Sequence, residues 1–298
     1  MITLNSDAAS TSLSKTTKAI LNEYGIKLNK NLGQNYLIDR NKRDQIIQFG
    51  NLTKDDVVLE IGPGIGTLTI ELAKRVKKVI AIEQDSNICQ ILENRLKKEN
   101  IDNVELINDD ALNVEFPKFD KIISNLPYQI SSPITFKFLN YDFQLAILMY
   151  QKEFASRMNG KVGSKDYSRL SAMLYFKCDV DLLTGVSAES FIPKPKVDST
   201  VVRLTPKLPE LNGQLKHLNI NEINEKDFKT YSKFVKALFQ HRNKKVKNAL
   251  IDSRHIITDL DKKEMKAKLN SIKQKKIEEL LSERITNLTP EELSLIHI

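Results

Sequence analysis

Short apolar segments alternate with amphipathic segments between about residue 40 and residue 150. Five apolar segments have the length of strands: VVLEI (57–61), KVIAIE (78–83), VELIN (104–108), KIISN (121–125) and LAILMY (145–150). Between them, TLTIELAKRV (67–76) and NICQILENRLKKEN (87–100) carry apolar residues at helical spacing, and Leu68, Leu72 and Val76 share one helix face. Strands that alternate with helices predict βαβ units and a parallel sheet. Right-handed crossovers then make the architecture doubly wound α/β.

The pattern changes after residue 150. A helical segment through SRLSAMLYF precedes FIPKPKVDSTVVRL (191–204), whose prolines favour extended backbone leading into a strand. Beyond Pro206, glycine becomes rare and Lys, Asn, Glu and Leu recur at helical spacing. We therefore predict four parts: a flexible N-terminal tail or helix (1–27), a Rossmann-like doubly wound domain (28–205), a linker (206–225) and a small helical domain (226–298).

Composition and charge narrow the class of protein. The chain has 298 residues, of which 41% are hydrophobic and 28% charged, as in a soluble globular protein. It lacks an apolar run long enough for a membrane helix, and its N-terminus lacks the apolar core of a secretory signal. We therefore expect a cytoplasmic protein without membrane contact. The net charge of +8 favours a polyanionic partner, because binding phosphates releases counterions.

The cysteines and histidines do not indicate a metal site. Cys89 and Cys178 lie far apart in the sequence without a neighbouring histidine, which argues against a disulfide framework or a zinc site. The four histidines show no metal-ligand spacing. We expect no bound metal and no catalysis that depends on histidine.

A glycine-rich turn joins the first predicted strand to the following helix. LEIGPGIGTLT places Gly62, Gly64 and Gly66 where the backbone can approach a ligand closely. Glu83 ends the second strand, where its carboxylate can accept hydrogen bonds from a ribose diol. Taken alone, the glycines are also compatible with a structural turn or a dinucleotide site, although their spacing differs from G-x-G-x-x-G.

An acidic pair favours one of these alternatives. Asp109-Asp110 follows the third strand, where a carboxylate can accept from the exocyclic amine of adenine. The turn carries no phosphate-binding lysine. A glycine turn, Glu83 and Asp110 together are typical of an S-adenosylmethionine pocket.

The tetrapeptide NLPY (125–128) ends the fourth strand at the same sheet edge. The exocyclic nitrogen of adenine is a poor nucleophile because its lone pair is delocalised into the ring. Two acceptors, the side-chain oxygen of Asn125 and the carbonyl of Leu126, can draw that nitrogen toward tetrahedral geometry. Pro127 stiffens the turn, and Tyr128 offers a face for the base, a contact worth roughly 1–3 kcal/mol. An isolated NLPY would favour a turn with a packed tyrosine; its position beside the pocket favours catalysis.

These motifs and several others resemble one known family. They are LGQNYL (32–37), EIGPGIGTLT (60–69), IEQD (82–85), NDDAL (108–112), SNLPYQISSPI (124–134), FIPKPKVDSTVVRL (191–204) and LFQHRNKKVKNAL (238–250). In this order they resemble the KsgA-type ribosomal RNA adenine dimethyltransferases, with the Erm methyltransferases as cousins. The resemblance runs from about residue 27 to residue 250, and the N-terminal stretch is similar to that of archaeal members.

The resemblance implies roles for individual residues. The implied cofactor-binding set is Asn35, Leu37, Gly62, Glu83, Asp110 and Asn125, with S-adenosyl-L-methionine as the cofactor. The implied catalytic set is Asn125, Leu126, Pro127 and Tyr128, with Phe191 as a second aromatic that encloses the flipped adenine. Tyr36 departs from the phenylalanine usual in the family, a change that should be tolerated. His241 and Asn243 stand where the family often has further basic residues.

The function implied by the resemblance is dimethylation of the N6 amines of two adjacent adenosines, in a loop near the 3′ end of small-subunit rRNA. We expect a monomer that acts on rRNA within a pre-30S-type particle and binds no DNA. The cationic stretches HRNKKVKNAL (241–250) and KKEMKAKLNSIKQKK (262–276) are predicted helices that contact phosphates.

Three other functions stay open on the sequence. An Erm-like enzyme acting on large-subunit rRNA shares the chemistry, and a ribosome-assembly or transcription factor could keep the fold without turnover. A nicotinamide-dependent dehydrogenase is the third.

Overall fold

A computed structural model describes residues 12–26, 35–207 and 225–296, with the backbone alone for 225–227. The described chain packs as two compact units. The first, called here the sheet unit, takes its residues from Met1–Ala155 and Asp181–Thr205; the second, the helical unit, takes them from Ser156–Val180 and Pro206–Ile298.

A seven-stranded sheet is formed by the described residues. Its strands are β2 (Val57–Ile61), β3 (Lys78–Glu83), β4 (Val104–Asn108), β5 (Lys121–Asn125), β6 (Leu145–Gln151), β7 (Cys178–Val186) and β9 (Ser199–Pro206). Their spatial order is β4-β3-β2-β5-β6-β9-β7, with β4 to β6 parallel in that order and β9 antiparallel to β6. A separate antiparallel ribbon pairs β1 (Tyr36–Leu37) with β8 (Phe191–Ile192). The five strands predicted between residues 57 and 150 are confirmed, and the fifth extends to Gln151.

Six helices begin in the described part of the sheet unit. They are α1 (Leu13–Glu23), α2 (Arg40–Phe49), α3 (Thr69–Ala73), α4 (Ser86–Lys98), α5 (Ser131–Phe138) and α6 (Lys152–Met158). Aspartates cap the N-termini of α2 and α4. Asp39 accepts from the Lys42 N–H, and Asp85 accepts from the N–H groups of Asn87 and Ile88. The predicted helix over 67–76 is shorter than expected, although its predicted apolar face is buried. Of the predicted tail 1–27, residues 12–26 are described and contain α1.

Both faces of the sheet are buried, as a doubly wound fold requires. On one face Val58, Val79 and Ile123 pack with Ile46 and Ile47 of α2 in one apolar cluster. The alternate strand positions, which point to the opposite face, are also buried: Leu59, Ile80 and Ile122. This double burial explains why the strands are continuous apolar runs. The Rossmann-like α/β prediction is confirmed.

The order of the strands fixes where a ligand can enter. The chain passes from β2 outward to β3 and β4 and then returns to β5 on the other side of β2. The direction of winding therefore reverses between β2 and β5. In open α/β sheets, ligands bind beyond the carboxyl ends of the strands at this switch point.

The helical unit contains α7 (Arg169–Lys177), α8 (Glu225–Phe239), α9 (Val246–Asp252), α10 (Lys262–Ser271), α11 (Lys275–Ser282) and α12 (Pro290–Ile296). The Tyr231 hydroxyl donates to the Ala172 carbonyl, and the Tyr167 hydroxyl donates to the Leu288 carbonyl. These bonds and the packing of α7 on α8 and α12 place Ser156–Val180 in this unit, whereas the sequence placed it in the domain 28–205. Most of the predicted linker 206–225 lies outside the described residues.

Two further sequence expectations need correction. The segment 241–245 was predicted to be helical, but it forms a turn, because Lys245 has extended backbone and bridges to Arg284. The strand β7 was not predicted; it lies at the edge of the sheet, and several of its side chains are exposed. None of the helices in residues 12–26, 35–207 and 225–296 combines the length and apolar composition that crossing a membrane requires.

Candidate active site

A cavity in the sheet unit opens at the switch point beyond the carboxyl ends of β2 to β5. Its lining includes the predicted cofactor residues Asn35, Leu37, Gly62, Glu83, Asp110 and Asn125. Leu126, Pro127 and Tyr128 line the same cavity. Residues from five separate chain segments therefore meet at one place. The positions of the strand ends predicted four of these segments, and the family resemblance implied the fifth, which carries Asn35 and Leu37.

The glycine turn requires glycine for two separate reasons. Gly62 and Gly64 have φ angles of 67° and 55°, in the left-handed region that side chains disfavour. A Cβ atom at Gly62 would lie 3.0 Å from Cγ of Pro127, and one at Gly64 would lie 2.8 Å from Cε1 of Tyr36. The turn thus passes in close contact with both the NLPY segment and the Tyr36 ring.

Glu83 is held at the end of β3 by backbone N–H groups. Its Oε2 accepts from the Gly64 N–H at 3.1 Å, and its Oε1 accepts from the Asp85 N–H at 3.0 Å. Burial raises the pKa of Glu83, and these hydrogen bonds act in the opposite direction. Each carboxylate oxygen has a second lone pair, so the group can accept from a ribose diol in the cavity.

Asp110 follows β4 and is also oriented by local hydrogen bonds. Its Oδ1 accepts from the Leu112 N–H at 2.9 Å, and its Oδ2 accepts from Nδ2 of Asn113 at 3.1 Å. The Asp109 N–H donates to the Glu83 carbonyl at 3.1 Å, which links this turn to the end of β3. This backbone hydrogen bond therefore fixes the position of Asp110 relative to Glu83.

The NLPY segment begins at the last residue of β5. Nδ2 of Asn125 donates to the Asn35 carbonyl at 3.0 Å. In the preceding residue, Oγ of Ser124 donates to the Ile61 carbonyl at 2.5 Å, tying the ends of β5 and β2 together. Tyr128 starts a single 3₁₀ turn after Pro127 and is half-buried.

Phe191 does not line the cavity with the other predicted catalytic residues. It is 2% exposed and belongs to the apolar cluster that contains Leu37, Ile123 and Met149. Its strand register sets it opposite Leu37 in the β1–β8 ribbon. In this structure the Phe191 ring packs in the core. Its predicted role in enclosing the adenine therefore stays a prediction.

Two buried ionisable residues of the cavity were not predicted from the sequence to have a role there. Glu60 of β2 is 2% exposed, and its pKa is raised to about 8, mainly by burial and in smaller part by the nearby Glu83. Tyr36 is 6% exposed, and burial, Glu83 and Asp85 raise the pKa of its phenol. The sequence signal for Glu60 was a charged residue inside an apolar strand.

The donors and acceptors of the cavity fit an adenosine-containing cofactor. Gly62 and Gly64 line the cavity without a side chain, and Glu83 and Asp110 supply acceptors for hydroxyl and amine groups. Oε2 of Glu60 and the Tyr36 hydroxyl are buried without a hydrogen-bond partner among the described residues. Such groups are normally satisfied by a partner, so their presence here favours a polar ligand.

Comparisons with known proteins agree with this site. The family model described as "Ribosomal RNA adenine dimethylase" matches residues 25–287. A relative from Methanosphaera stadtmanae, called probable ribosomal RNA small subunit methyltransferase A, is 48% identical over 94% of this chain and 97% of its own length. One of the same name from Methanothermobacter thermautotrophicus is 44% identical over 93% of this chain and 92% of its own.

Solved structures show the same relationship. A dimethyladenosine transferase from Plasmodium falciparum is 30% identical, with a TM-score of 0.69 over 86% of this chain and 94% of its own. The 23S rRNA methyltransferase ErmE is 25% identical, with a TM-score of 0.61 over 88% of this chain and 99% of its own. The chain, from its sequence motifs to its cavity, belongs to the ribosomal RNA adenine dimethylase family.

Proposed function

We propose that this protein dimethylates the N6 amine of adenosines in small-subunit rRNA. Membership of the adenine dimethylase family supports the reaction, and the names of the archaeal relatives support the small subunit. The observation that most supports the proposal is that Asn125, with its amide oriented by Asn35, lines the same cavity as Glu83 and Asp110. We extend the proposal to two adjacent adenosines of a loop near the rRNA 3′ end.

The methyl donor is S-adenosylmethionine, which supplies a methyl group already activated on a positively charged sulfur. The glycine turn would receive it closely, Glu83 would accept from its ribose hydroxyls and Asp110 from its adenine amine. Asn35 and Leu37 would border it from the N-terminal segment. These residues hold and orient the donor, so their contribution is proximity and alignment.

The catalytic work of the protein is done on the target amine. With Nδ2 of Asn125 committed to the Asn35 carbonyl, Oδ1 is the atom of this amide that can accept from the amine. The Leu126 carbonyl supplies the second acceptor. Two such acceptors would localise the lone pair on N6 and direct it toward the methyl group that the bound donor would supply. The displaced proton leaves to water, so a general base is not required.

The target base has to leave its stack to reach this amide, which costs least from a loop. Tyr128 offers the face that replaces the lost stacking. Pro127 brings no N–H that could compete for the acceptors, and its ring lies against Gly62. The aromatic face and the acceptors thus belong to one short turn beside the cofactor.

The helical unit supplies the positive charge that an RNA substrate needs. Exposed lysines of its predicted RNA-binding segments include Lys262, Lys263 and Lys266 of α10 and Lys275 and Lys276 of α11. Phosphate contacts from such residues would orient a folded RNA without reading its sequence. We further propose that the protein acts as a monomer, in the cytoplasm, on rRNA within a pre-30S-type particle.

The proposal is tested by methylating isolated ribosomal subunits separately. Purified protein and S-adenosylmethionine labelled in the methyl group are incubated with small or large subunits that lack adenine dimethylation. Mass spectrometry of rRNA fragments then locates the label. We expect N6,N6-dimethyladenosine in small-subunit rRNA alone, and none with Asn125→Ala. Label in large-subunit rRNA would instead support an Erm-like enzyme, and RNA binding without label would support a non-catalytic factor.

A further inference from the structure

Tyr128 is hydrogen-bonded to a residue that lies far from it in the sequence. Its hydroxyl is 2.6 Å from Oγ of Ser199, which is 71 positions further along the chain and 1% exposed. Burial raises the pKa of Tyr128, so at neutral pH its hydroxyl is protonated and can donate to Ser199. The bond joins the end of the NLPY turn to the first residue of β9.

Ser199 occupies a rigid part of the sheet unit. It pairs with Gln151 in the antiparallel ladder of β6 and β9. The preceding residue, Asp198, accepts from the Lys152 N–H through its carbonyl and from the Ala188 N–H through Oδ1, both at 2.9 Å. Oγ of Ser199 is therefore a fixed point relative to the central sheet.

Tyr128 itself lies on a less regular element. Its backbone belongs to a 3₁₀ turn of three residues, Tyr128–Ile130, that connects β5 to α5. A tyrosine ring on such a turn can change its direction through its two side-chain torsions. A bond at the far end of the ring removes that freedom, because it fixes the hydroxyl while the backbone fixes the Cα atom.

We propose that Ser199 is a positioning residue for methyl transfer, holding the Tyr128 ring in the plane on which the target adenine stacks. The inference rests on the proposed function and adds a residue to it. Without the bond to Ser199, the Tyr128 ring could still stack on the base. The N6 atom would then be displaced from the Asn125 and Leu126 acceptors. Misplacement of about 1 Å is enough to cost about a hundredfold in rate.

The test combines Ser199→Ala, Tyr128→Phe and the double variant. Each single change removes the same hydrogen bond, and Phe keeps the aromatic face. We expect kcat to fall about tenfold in each single variant while KM for rRNA changes less than about threefold. The double variant should be no slower than the singles, since the bond can be lost only once. Ser199→Thr, which retains a hydroxyl, should recover activity toward the wild-type value.

Fluorescence can report directly on the stacking of the target base. A small-subunit rRNA fragment carrying 2-aminopurine at the target position is quenched when that base stacks on Tyr128. Quenching should be weaker in Ser199→Ala and Tyr128→Phe than in the wild type. Thr200→Ala is the matched control: Thr200 follows Ser199 on β9 and projects to the opposite face of the sheet, so both readouts should be unchanged.

The outcomes separate the inference from the function on which it rests. A wild-type protein that does not methylate rRNA would overturn both. An active wild type with unchanged kcat in Tyr128→Phe, or with additive losses in the double variant, would overturn the role of Ser199 alone. If Ser199→Ala has a lowered Tm or does not fold, the result for Tyr128→Phe decides whether the hydrogen bond matters, because that change leaves β9 intact.

Discussion

Nδ2 of Asn125 donates to the backbone carbonyl of Asn35 at 3.0 Å, across 90 positions of sequence. Because the carbonyl can only accept, the bond defines which end of the amide faces it. Asn125 is therefore oriented by the N-terminal segment, which also borders the cavity. The amide that we propose to be catalytic and the proposed cofactor site thus share one structural element.

Replacing Asn125 with Asp tests this orientation with little change in shape. The carboxylate has no N–H to donate and places a negative oxygen against the Asn35 carbonyl. We expect methylation to fall by about 10²–10³-fold, with rRNA affinity nearly unchanged. Asn103→Asp is the matched control, since Nδ2 of Asn103 also donates to backbone carbonyls but Asn103 does not line the cavity. Normal methylation by Asn125→Asp in a radioactive transfer assay would contradict the assigned role.

Glu83→Gln is expected to weaken cofactor binding. Glutamine keeps one acceptor oxygen but presents an NH₂ group where a carboxylate oxygen now accepts from a backbone N–H. We expect the dissociation constant of S-adenosylhomocysteine, measured by calorimetry, to rise at least about tenfold, as expected when a charged hydrogen-bond acceptor is lost. Glu105→Gln, a change at a partly exposed residue of the neighbouring strand β4 that does not line the cavity, should leave it unaltered. Equal affinities for the two variants would remove the ribose assignment of Glu83.

The sequence predicted the cavity because its residues follow strand ends. Glu83, Asp110 and Asn125 each end or follow a parallel strand, and parallel strands bring such positions to one edge. The contact of Tyr128 with Ser199 could not be found this way, because it depends on how β9 packs beside β6. The edge strand β7 was missed because its exposed residues weaken the alternating pattern.

The predicted role of Phe191 can be separated from its packing role by Phe191→Leu. Leucine keeps much of the apolar volume in the cluster around Leu37 but removes the aromatic face. If Phe191 encloses the adenine, kcat should fall about tenfold or more with a loss of stability below about 1.5 kcal/mol. Urea unfolding and the methylation assay on the same preparation measure both quantities. Full activity in this variant would leave Phe191 as a core residue only.

The Gly64 contact with Tyr36 can be measured against a glycine in open space. Gly64 and Gly25 have nearly equal φ angles of 55° and 58°, but a Cβ would meet the Tyr36 ring only at Gly64. Changing either glycine to alanine should therefore cost about 1 kcal/mol from backbone strain. Gly64→Ala should lose further stability and bind the cofactor more weakly, as thermal unfolding and calorimetry would show. Equal losses in both variants would mean that the ring moves aside freely.

Glu60 gives the protein a dependence of stability on pH that opposes the usual trend for carboxylates. Burial, with Glu83 nearby, raises its pKa in the folded state from 4.5 to about 8, while the neighbouring Thr69 side chain acts in the opposite direction. Between these values the folded protein retains a proton that the unfolded chain has released. The contribution of Glu60 therefore favours folding most below pH 4.5 and is lost progressively as the pH rises to about 8.

Glu60→Gln isolates this contribution, because glutamine has a similar shape and does not titrate. In the wild type, this one group should lower the free energy of unfolding by at most about 1.4 kcal/mol for each pH unit within the window. The variant should lack that decrease, so the difference in stability between Glu60→Gln and wild type should grow in favour of the variant from pH 5 to pH 8. Urea titrations at several pH values measure it directly. A difference that stays constant with pH would show that Glu60 is ionised in the folded protein, and its buried charge would then need a partner within the cavity.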